Sequence, residues 1–344
     1  MAGRLKRQLA WRPGSGLPYA LAGVTLALLL VSLGVGPAHL GLGDVIGSLL
    51  PGADARNTAA ALIVREIRLP RALLGLLIGA ALGASGAALQ GYLRNPLAEP
   101  GLIGATGGAA LGAVLAIHTG TVAAFALALP LAGLIGAGLA VLLVLALAGQ
   151  GGKTLTLILA GTAVTSLAGA LTSLALNLSK NPFASVEIVF WLMGSLVDRS
   201  LAHVALAAPP ILIGIALLVR LGRDLDALSL GEDVAASLGV DLPRTRWLIV
   251  GGTALAVGAA TAVAGMIGFV GLIAPNLLRP LVGYKPSRLV WASLWGGAAL
   301  VLAADILVRI VSPSGELRLG VVTALIGTPF FIWLVVRMRG EVVP

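Results

Sequence analysis

A bundle of membrane-spanning α-helices is the fold class this sequence predicts, and three observations predict it. Hydrophobic residues make up 58% of the 344-residue chain and charged residues only 11%, with a mean hydropathy of +1.02. A soluble domain carries roughly 25% charged residues, so a surface this poor in charge is solvated mainly by lipid. The apolar residues run in long uncharged windows rich in Leu, Ala and Gly, not in the ~10-residue alternating segments of a membrane β-barrel. The charges collect at the ends of those windows. The net charge of +9 is read as basic residues facing phospholipid head groups, not as a nucleic-acid surface. The chain has no cysteine, which excludes disulfide scaffolds and thiolate metal sites.

The uncharged windows are 13–43, 72–93, 100–152, 154–179, 200–219, 247–278, 289–304 and 319–336. A span needs ~20 residues, so 100–152 holds two, divided near "HTGT" (118–121). The basic start "MAGRLKRQLAWR" is followed over 17–36 by an apolar run without a small-residue cleavage site, which reads as a retained first span. Arg4, Lys6, Arg7 and Arg12 place the N-terminal tail inside. Alternation then puts 37–65 outside, 94–100 inside, 118–121 outside, 149–153 inside, 178–200 outside and 220–246 inside. Arg337 and Arg339 ask for an internal C-terminus, and hence for an even number of spans. The window 247–278 is therefore read as a full span plus a short re-entering helix, broken by Gly265, Gly268, Gly271 and Pro275. The total is ten, and Arg279, Lys285 and Arg288 then fall inside. The whole chain, 1–344, reads as one transmembrane domain with a tail over 1–16 and an internal loop over 222–246. Glycines repeat at four over Gly75, Gly79 and Gly83 and over Gly104, Gly108 and Gly112, a spacing that lets helices approach closely in lipid.

The sequence carries no evident catalytic constellation. "GQGGKT" (149–154) resembles the end of a phosphate-binding loop, but Leu147 stands where the motif needs Gly and no strand precedes it. His39, His118 and His203 are scattered, as interfacial histidines are. Intramembrane charge is sparse: Asp305 is the best candidate, with Arg309 one helical turn on. That scarcity predicts that the driving energy comes from another subunit and that the chain itself binds no cofactor or metal.

Several long motifs then carry a resemblance. The stretch "RLPRALLGLLIGAALGASGAALQGYLRNPLAEPGLIGATGGAALG" (68–112) resembles the signature of type II ABC importer permeases, the FecCD/BtuC-like membrane subunits for ferric siderophores, haem and cobalamin. "WLMGSL" (191–196), "LSLGEDVAASLGV" (228–240), "GFVGLIAPNLLR" (268–279) and "LGVVTALIGTPFFIWLV" (319–335) resemble its later motifs in the same order. The resemblance covers nearly the whole chain and implies the ten-helix fold of that family. It implies a second copy of this chain, two cytoplasmic subunits that bind ATP and Mg, and a periplasmic substrate-binding protein, all assembled in the bacterial inner membrane with both termini cytoplasmic.

The resemblance also implies residue roles. Arg68, Arg71 and Arg309 receive carboxylates of the binding protein, a task suited to the planar guanidinium fork. Asn95, Leu97 and Thr154 form a cytoplasmic gate, with Arg94 and Glu99 anchoring the turn. The segment 222–246 docks on the ATPase through Leu230, Gly231, Glu232, Ala235, Leu238 and Gly239. The fifth span, 154–177, lines the path with Thr154, Thr156, Thr162, Thr165, Ser166, Thr172, Ser173 and Asn177; their hydroxyls can instead bond carbonyls of their own helix. Two positions depart from the family pattern: Asn276 stands where His is usual, and Arg318 where Pro is usual. The expected cargo is a bulky iron chelate, a ferric siderophore first and haem or cobalamin next. An ion-coupled secondary carrier and a membrane protein without transport are the readings from other classes.

Overall fold

Lipid offers no hydrogen-bond partner to a bare backbone, so a spanning chain must pair its N–H and C=O groups within each segment. A computed structural model describes residues 16–38, 40–49, 58–149, 154–312 and 317–342, and among these there is no strand. Helix α1 (Leu17–Gly34) is followed by a short α2 (Leu42–Leu49). Helix α3 (Ala59–Leu62) widens into a π-type stretch, Ile63–Arg68, and continues as α4 (Leu69–Tyr92). Then come α5 (Ala105–His118), α6 (Ala128–Ala148), α7 (Thr154–Asn177), α8 (Pro182–Leu192) and α9 (Leu201–Arg220). Two short helices, α10 (Gly222–Leu228) and α11 (Glu232–Ser237), precede α12 (Leu242–Ala264). A half-length α13 (Val270–Leu278) and the long α14 (Pro286–Val311) and α15 (Leu319–Val342) complete the chain.

Eight of these segments are long and apolar enough to cross a bilayer: α1, the 59–92 rod, α6, α7, α9, α12, α14 and α15. The ten expected spans are reached only by adding α5 and α13, which are shorter. Helix α5 by itself rises about 21 Å, and the 3-10 turn at Pro100–Ile103 that precedes it joins through the left-handed Gly104. Helix α13 with its following 3-10 turn, Arg279–Val282, rises only about 21 Å and is a broken helix, as the parity of charges requires. The stretch 178–200, expected as a plain connection, contains α8.

The bundle's two ends follow from these contacts. Leu17 and Tyr19 of α1 line one cleft with Arg220, Arg223 and Lys285. Helix α15 leaves from the opposite end, where Gly320 N donates to Gly194 O at 3.3 Å. The start of α1 and the finish of α15 therefore share the end that holds 94–99 and 222–240, as an even number of crossings demands. Residues 1–15, 343 and 344 lie outside the described residues.

Helices α4, α12 and α14 form the centre, and the glycine repeat sets how closely they meet. A methyl group built on Gly79 would overlap the Gly297 carbonyl, and one on Gly83 would overlap that of Ser293. Gly108 and Gly112 of α5 likewise meet Gly136 and Ala132 of α6. Gly104 is different: it sits at φ +82° ahead of α5 and turns the chain into the helix. The expected stripe 104–112 is thus one turn-forming glycine and two packing glycines.

Gly83→Leu is expected to destabilise the protein by about 1–3 kcal/mol or more, because overpacking displaces two backbones. Gly138→Ala, on a glycine of α6 with open space around it, should be neutral. Thermal unfolding in detergent compares the two; equal midpoints would contradict the close α4–α14 contact.

Candidate functional site

At the end where α1 finishes, three arginines and one aspartate converge. Helix α1 stops with its last carbonyls unpaired, as every helix does. Arg68 Nη1 donates to Leu33 O at 2.8 Å and Gly34 O at 2.7 Å, and its Nη2 to Ala38 O. Arg309 Nη1 donates to Ser32 O and Val35 O, both at 2.7 Å, and its Nη2 to Ser32 Oγ. Two cations thus sit on the negative end of the α1 dipole. Asp305 is 1% exposed and holds the cluster together. Arg71 approaches it through Nε, 2.9 Å from Oδ1, and Nη2, 2.8 Å from Oδ1, while Arg309 Nη2 lies 3.0 Å from Oδ2. The pairing of Asp305 with Arg309 one turn on was legible in the sequence; the pairing with Arg71 was not.

The three arginines expected to receive carboxylates of a partner are thus all engaged within the chain. Arg68 is 4% and Arg309 7% exposed, and both are engaged in closing α1 onto α4 and α14. Arg71 is the most accessible of the three, with 14% of its side chain exposed. The cluster still holds three cations to one anion. A hollow of 590 Å³ bounded by Gly34, Pro37, Leu40 and Arg309 opens beside it.

Helix α7 shows one open face. Thr162, Ser166, Ser173 and Asn177 are exposed at helical spacing along it, whereas Thr165 is half-buried and Thr172 buried. Thr156 is exposed too, about 120° round the helix from Thr162 at 100° per residue. Thr162 Oγ1 donates to Leu159 O at 2.9 Å, Thr165 Oγ1 to Gly161 O at 2.8 Å and Ser173 Oγ to Gly169 O at 3.0 Å. The hydroxyl protons of Thr162 and Ser173 are thereby satisfied within the helix, which leaves their oxygen lone pairs on the exposed face. Of the expected lining residues, Thr165 and Thr172 turn inward. Thr154 begins α7, and its side chain lies outside the described residues.

At the opposite end from the arginines, the "RNPLAEPGLIG" turn (94–104) is clamped to the broken helix. Asn95 Oδ1 accepts from Leu97 N at 2.9 Å, an Asx turn that fixes the "NPL" geometry. Asn95 is exposed and Leu97 half-buried. Glu99 Oε1 accepts from Phe269 N at 2.8 Å, placing a carboxylate at the start of α13, where the helix dipole favours it. Phe269 itself has φ +66°, a strained conformation for an aromatic residue. Asn276 Nδ2 donates to Pro96 O at 2.9 Å. Gln90 Nε2 donates to Ala98 O and Gly271 O, both at 3.3 Å, and Arg279 Nη2 donates to Gln90 Oε1. Glu99, expected to anchor the turn, does so by accepting the amide at the start of an interior helix. Gln90 carried no signal of its own in the sequence; a lone amide two residues before the end of a span was the only clue.

The segment 222–246 folds as α10, a turn and α11. Gly231 has φ +115° and Gly239 φ +88°, so both breaks fall where expected. Leu230 and Leu238 are each 64% exposed and Val234 is 44% exposed; Val234 and Leu238 lie four apart along α11 and its C-cap, Leu230 precedes the break at Gly231, and this run of exposed apolar side chains is the ridge of the segment. Glu232 lies exposed beside it. Ala235 is fully buried against the bundle and does not belong to the ridge; Val234 takes its place. The segment is fastened by Asp226, whose Oδ1 accepts from Ser287 N at 2.8 Å, and by Thr245 Oγ1, which donates to Asp224 Oδ2 at 3.2 Å.

Among the described residues no group of His, Cys, Asp or Glu could hold a metal ion. His203 Nδ1 accepts from Ser200 N at 3.3 Å at the start of α9, His118 is exposed, and His39 lies outside the described residues, as does most of "GQGGKT". Arg318 stacks its guanidinium 4.8 Å from the centre of the Phe190 ring.

The fold and these elements define a multi-pass helical membrane protein of the ABC importer permease class. The chain belongs to the FecCD transport family, whose model matches residues 24–337. It is similar to the vitamin B12 import system permease protein BtuC of Vibrio cholerae, with 38% identity over 96% of each chain. It is also similar to the Fe(3+) dicitrate transport system permease protein FecD of Escherichia coli, with 39% identity over 80% of this chain and 86% of that one. A solved metal-chelate type ABC transporter in an inward-facing conformation superimposes with a TM-score of 0.81 at 34% identity, over 94% of this chain and all of the other.

Asp305→Ala is expected to destabilise the protein by about 3–5 kcal/mol, because it strands two arginines without their anion. Thermal unfolding in detergent checks it; a loss under about 1 kcal/mol would mean the arginines are neutralised elsewhere.

Proposed function

We propose that the chain is the membrane-spanning half of an ATP-driven importer, paired with a second copy around a central path and driven by two cytoplasmic ATP-binding subunits. The observation that carries this is the open face of α7. Thr162, Ser166, Ser173 and Asn177 form an uncharged polar strip on a helix in a chain solvated by hydrocarbon. Polar groups facing lipid are unfavourable, so the strip is best explained by a water-filled path between two copies. An uncharged polar surface suits a bulky ligand that must pass without being held. The absence of carboxylates along 154–179 disfavours an ion-coupled carrier.

In this reading the end bearing 94–99 and 222–240 faces the cytoplasm of a bacterial inner membrane. The ridge of Leu230, Val234 and Leu238 enters a groove on the ATPase, with Glu232 on its flank and Gly231 and Gly239 as its hinges. Asn95, Leu97 and Thr154 close the path at this end. The clamp of Glu99, Asn276 and Gln90 makes the turn move with α13, and Asn276 serves where the family usually has His because its amide donates to Pro96 O. At the other end a periplasmic binding protein places carboxylates over the net positive cluster. Arg71 makes the contact, while Arg68 and Arg309 supply the field behind it. The cargo is a bulky metal chelate. A ferric siderophore is the expected one, and the similarity to vitamin B12 permeases favours a corrinoid as the second reading.

Reconstitution with the partner ATPase tests the class. Uptake should require ATP hydrolysis and survive collapse of the proton gradient; uptake that follows the gradient without ATPase subunits would refute it. Leu230→Asp with Leu238→Asp should reduce ATPase binding at least tenfold, read by co-purification, with the permease still folded. Arg71→Glu should weaken binding-protein docking at physiological salt and leave basal ATP hydrolysis unchanged. The absorption spectrum of the ligand that co-purifies with the binding protein separates a ferric chelate from a corrinoid.

A further inference from the structure

A large basic cleft lies away from the α7 face. It has a volume of 1260 Å³ and opens between the start of α1, the α9–α10 junction and the start of α14. That exceeds the ~300–1,000 Å³ usual for small-ligand pockets. Its rim is basic: Arg220, Arg223, Lys285 and Arg288 line it against a single acid, Asp226. Asp226 is already committed, with Lys285 Nζ 3.4 Å from Oδ2 and the Ser287 amide on Oδ1. Arg220, Arg223 and Arg288 are exposed, and none of the three is in an ion pair among the described residues. Below the rim the chemistry changes. Trp291 and Trp295 line the wall, about 5 and 10 Å deeper than Arg288 along α14, and Tyr19 and Ala22 of α1 face them across the cleft.

We infer that this cleft binds one anionic phospholipid from the adjoining leaflet, head group on the arginines and acyl chains along α1 and α14. The order of charge, amphipathic aromatic ring and hydrocarbon follows the bilayer's own profile. A water-soluble protein partner could cover the arginines but would leave the tryptophan-lined depth unfilled, so the depth favours lipid over the ATPase. Guanidinium groups take a phosphate through two parallel hydrogen bonds, and three unpaired arginines exceed what the zwitterionic head group of phosphatidylcholine can neutralise. Which leaflet supplies the lipid rests on the orientation proposed above; the head-group preference does not.

The test uses the full chain in nanodiscs, with tryptophan fluorescence quenched by brominated lipid. Brominated phosphatidylglycerol and brominated phosphatidylcholine are compared at equal mole fraction. The part of the signal due to the cleft is taken as the difference from a Trp291→Phe, Trp295→Phe variant. Wild type should show at least threefold stronger apparent binding of phosphatidylglycerol. Arg220→Gln with Arg223→Gln and Arg288→Gln should abolish the preference, and if that variant does not fold, Arg220→Gln with Arg288→Gln should reduce it at least twofold. Equal quenching by both lipids, or an undiminished preference in the arginine variants, would overturn the inference. So would displacement of phosphatidylglycerol by millimolar inorganic phosphate, which would mark a soluble-anion site. Loss of the preference on adding purified ATPase subunit would make the rim a protein-docking surface and overturn it too. None of these readings involves transport, so they stand or fall apart from the proposed function.

Discussion

Every interruption of a helix inside lipid must bring its own hydrogen-bond partner, and the architecture here depends on that constraint. Unbroken helices satisfy it by themselves. Among the described residues, two helix ends show a small set of polar side chains in place of the missing water. Where α1 ends, Arg68 and Arg309 donate to four of its carbonyls between Ser32 and Val35. Where α13 begins in the interior, Glu99 accepts the amide of Phe269 and Gln90 donates to the carbonyl of Gly271.

Satisfying these groups has mechanical consequences. Arg309, which closes α1 together with Arg68, also binds Asp305 beside Arg71, which ties α1, α4 and α14 into one unit packed through Gly79 and Gly83. The groups that serve α13 come from the 94–99 turn and the end of α4, so the half-helix and the turn form a second unit. Within the second unit α13 is short and strained at Phe269, and the link to α12 over 265–269 is non-helical. A transporter needs parts that move as wholes against each other, and the polar clamps mark which residues belong to which part.

Much of this was legible in the sequence. The long uncharged windows located the spans but not their ends: the 72–93 window belongs to a rod that starts at Ala59, and the 289–304 window to a helix that runs to Val311. The parity of basic ends requires a broken helix at 247–278, and the order of the motifs carries the family. Gly231 and Gly239 could be read as breaks because nothing else in that stretch adopts their backbone geometry easily. The site was read less well. Arg68 and Arg71 look like surface charges at a span end, since sequence spacing does not reveal that α1 ends alongside them. Ala235 and Val234 are adjacent and equally apolar, and only the packing of α11 on the bundle decides which faces out. Gln90 and Glu99 act on groups more than 150 residues away, a distance no local pattern spans.

The sequence by itself determined that this is a helical membrane protein, where its helices run and which family it belongs to, because those depend on composition, periodicity and short motifs. The tertiary structure alone decided what the polar residues do. A buried arginine, amide or carboxylate is defined by the partner that compensates its desolvation, and here those partners lie on other helices: the carbonyls of α1 for Arg68, the carboxylate of α14 for Arg71, and the turn at Pro96 for Asn276.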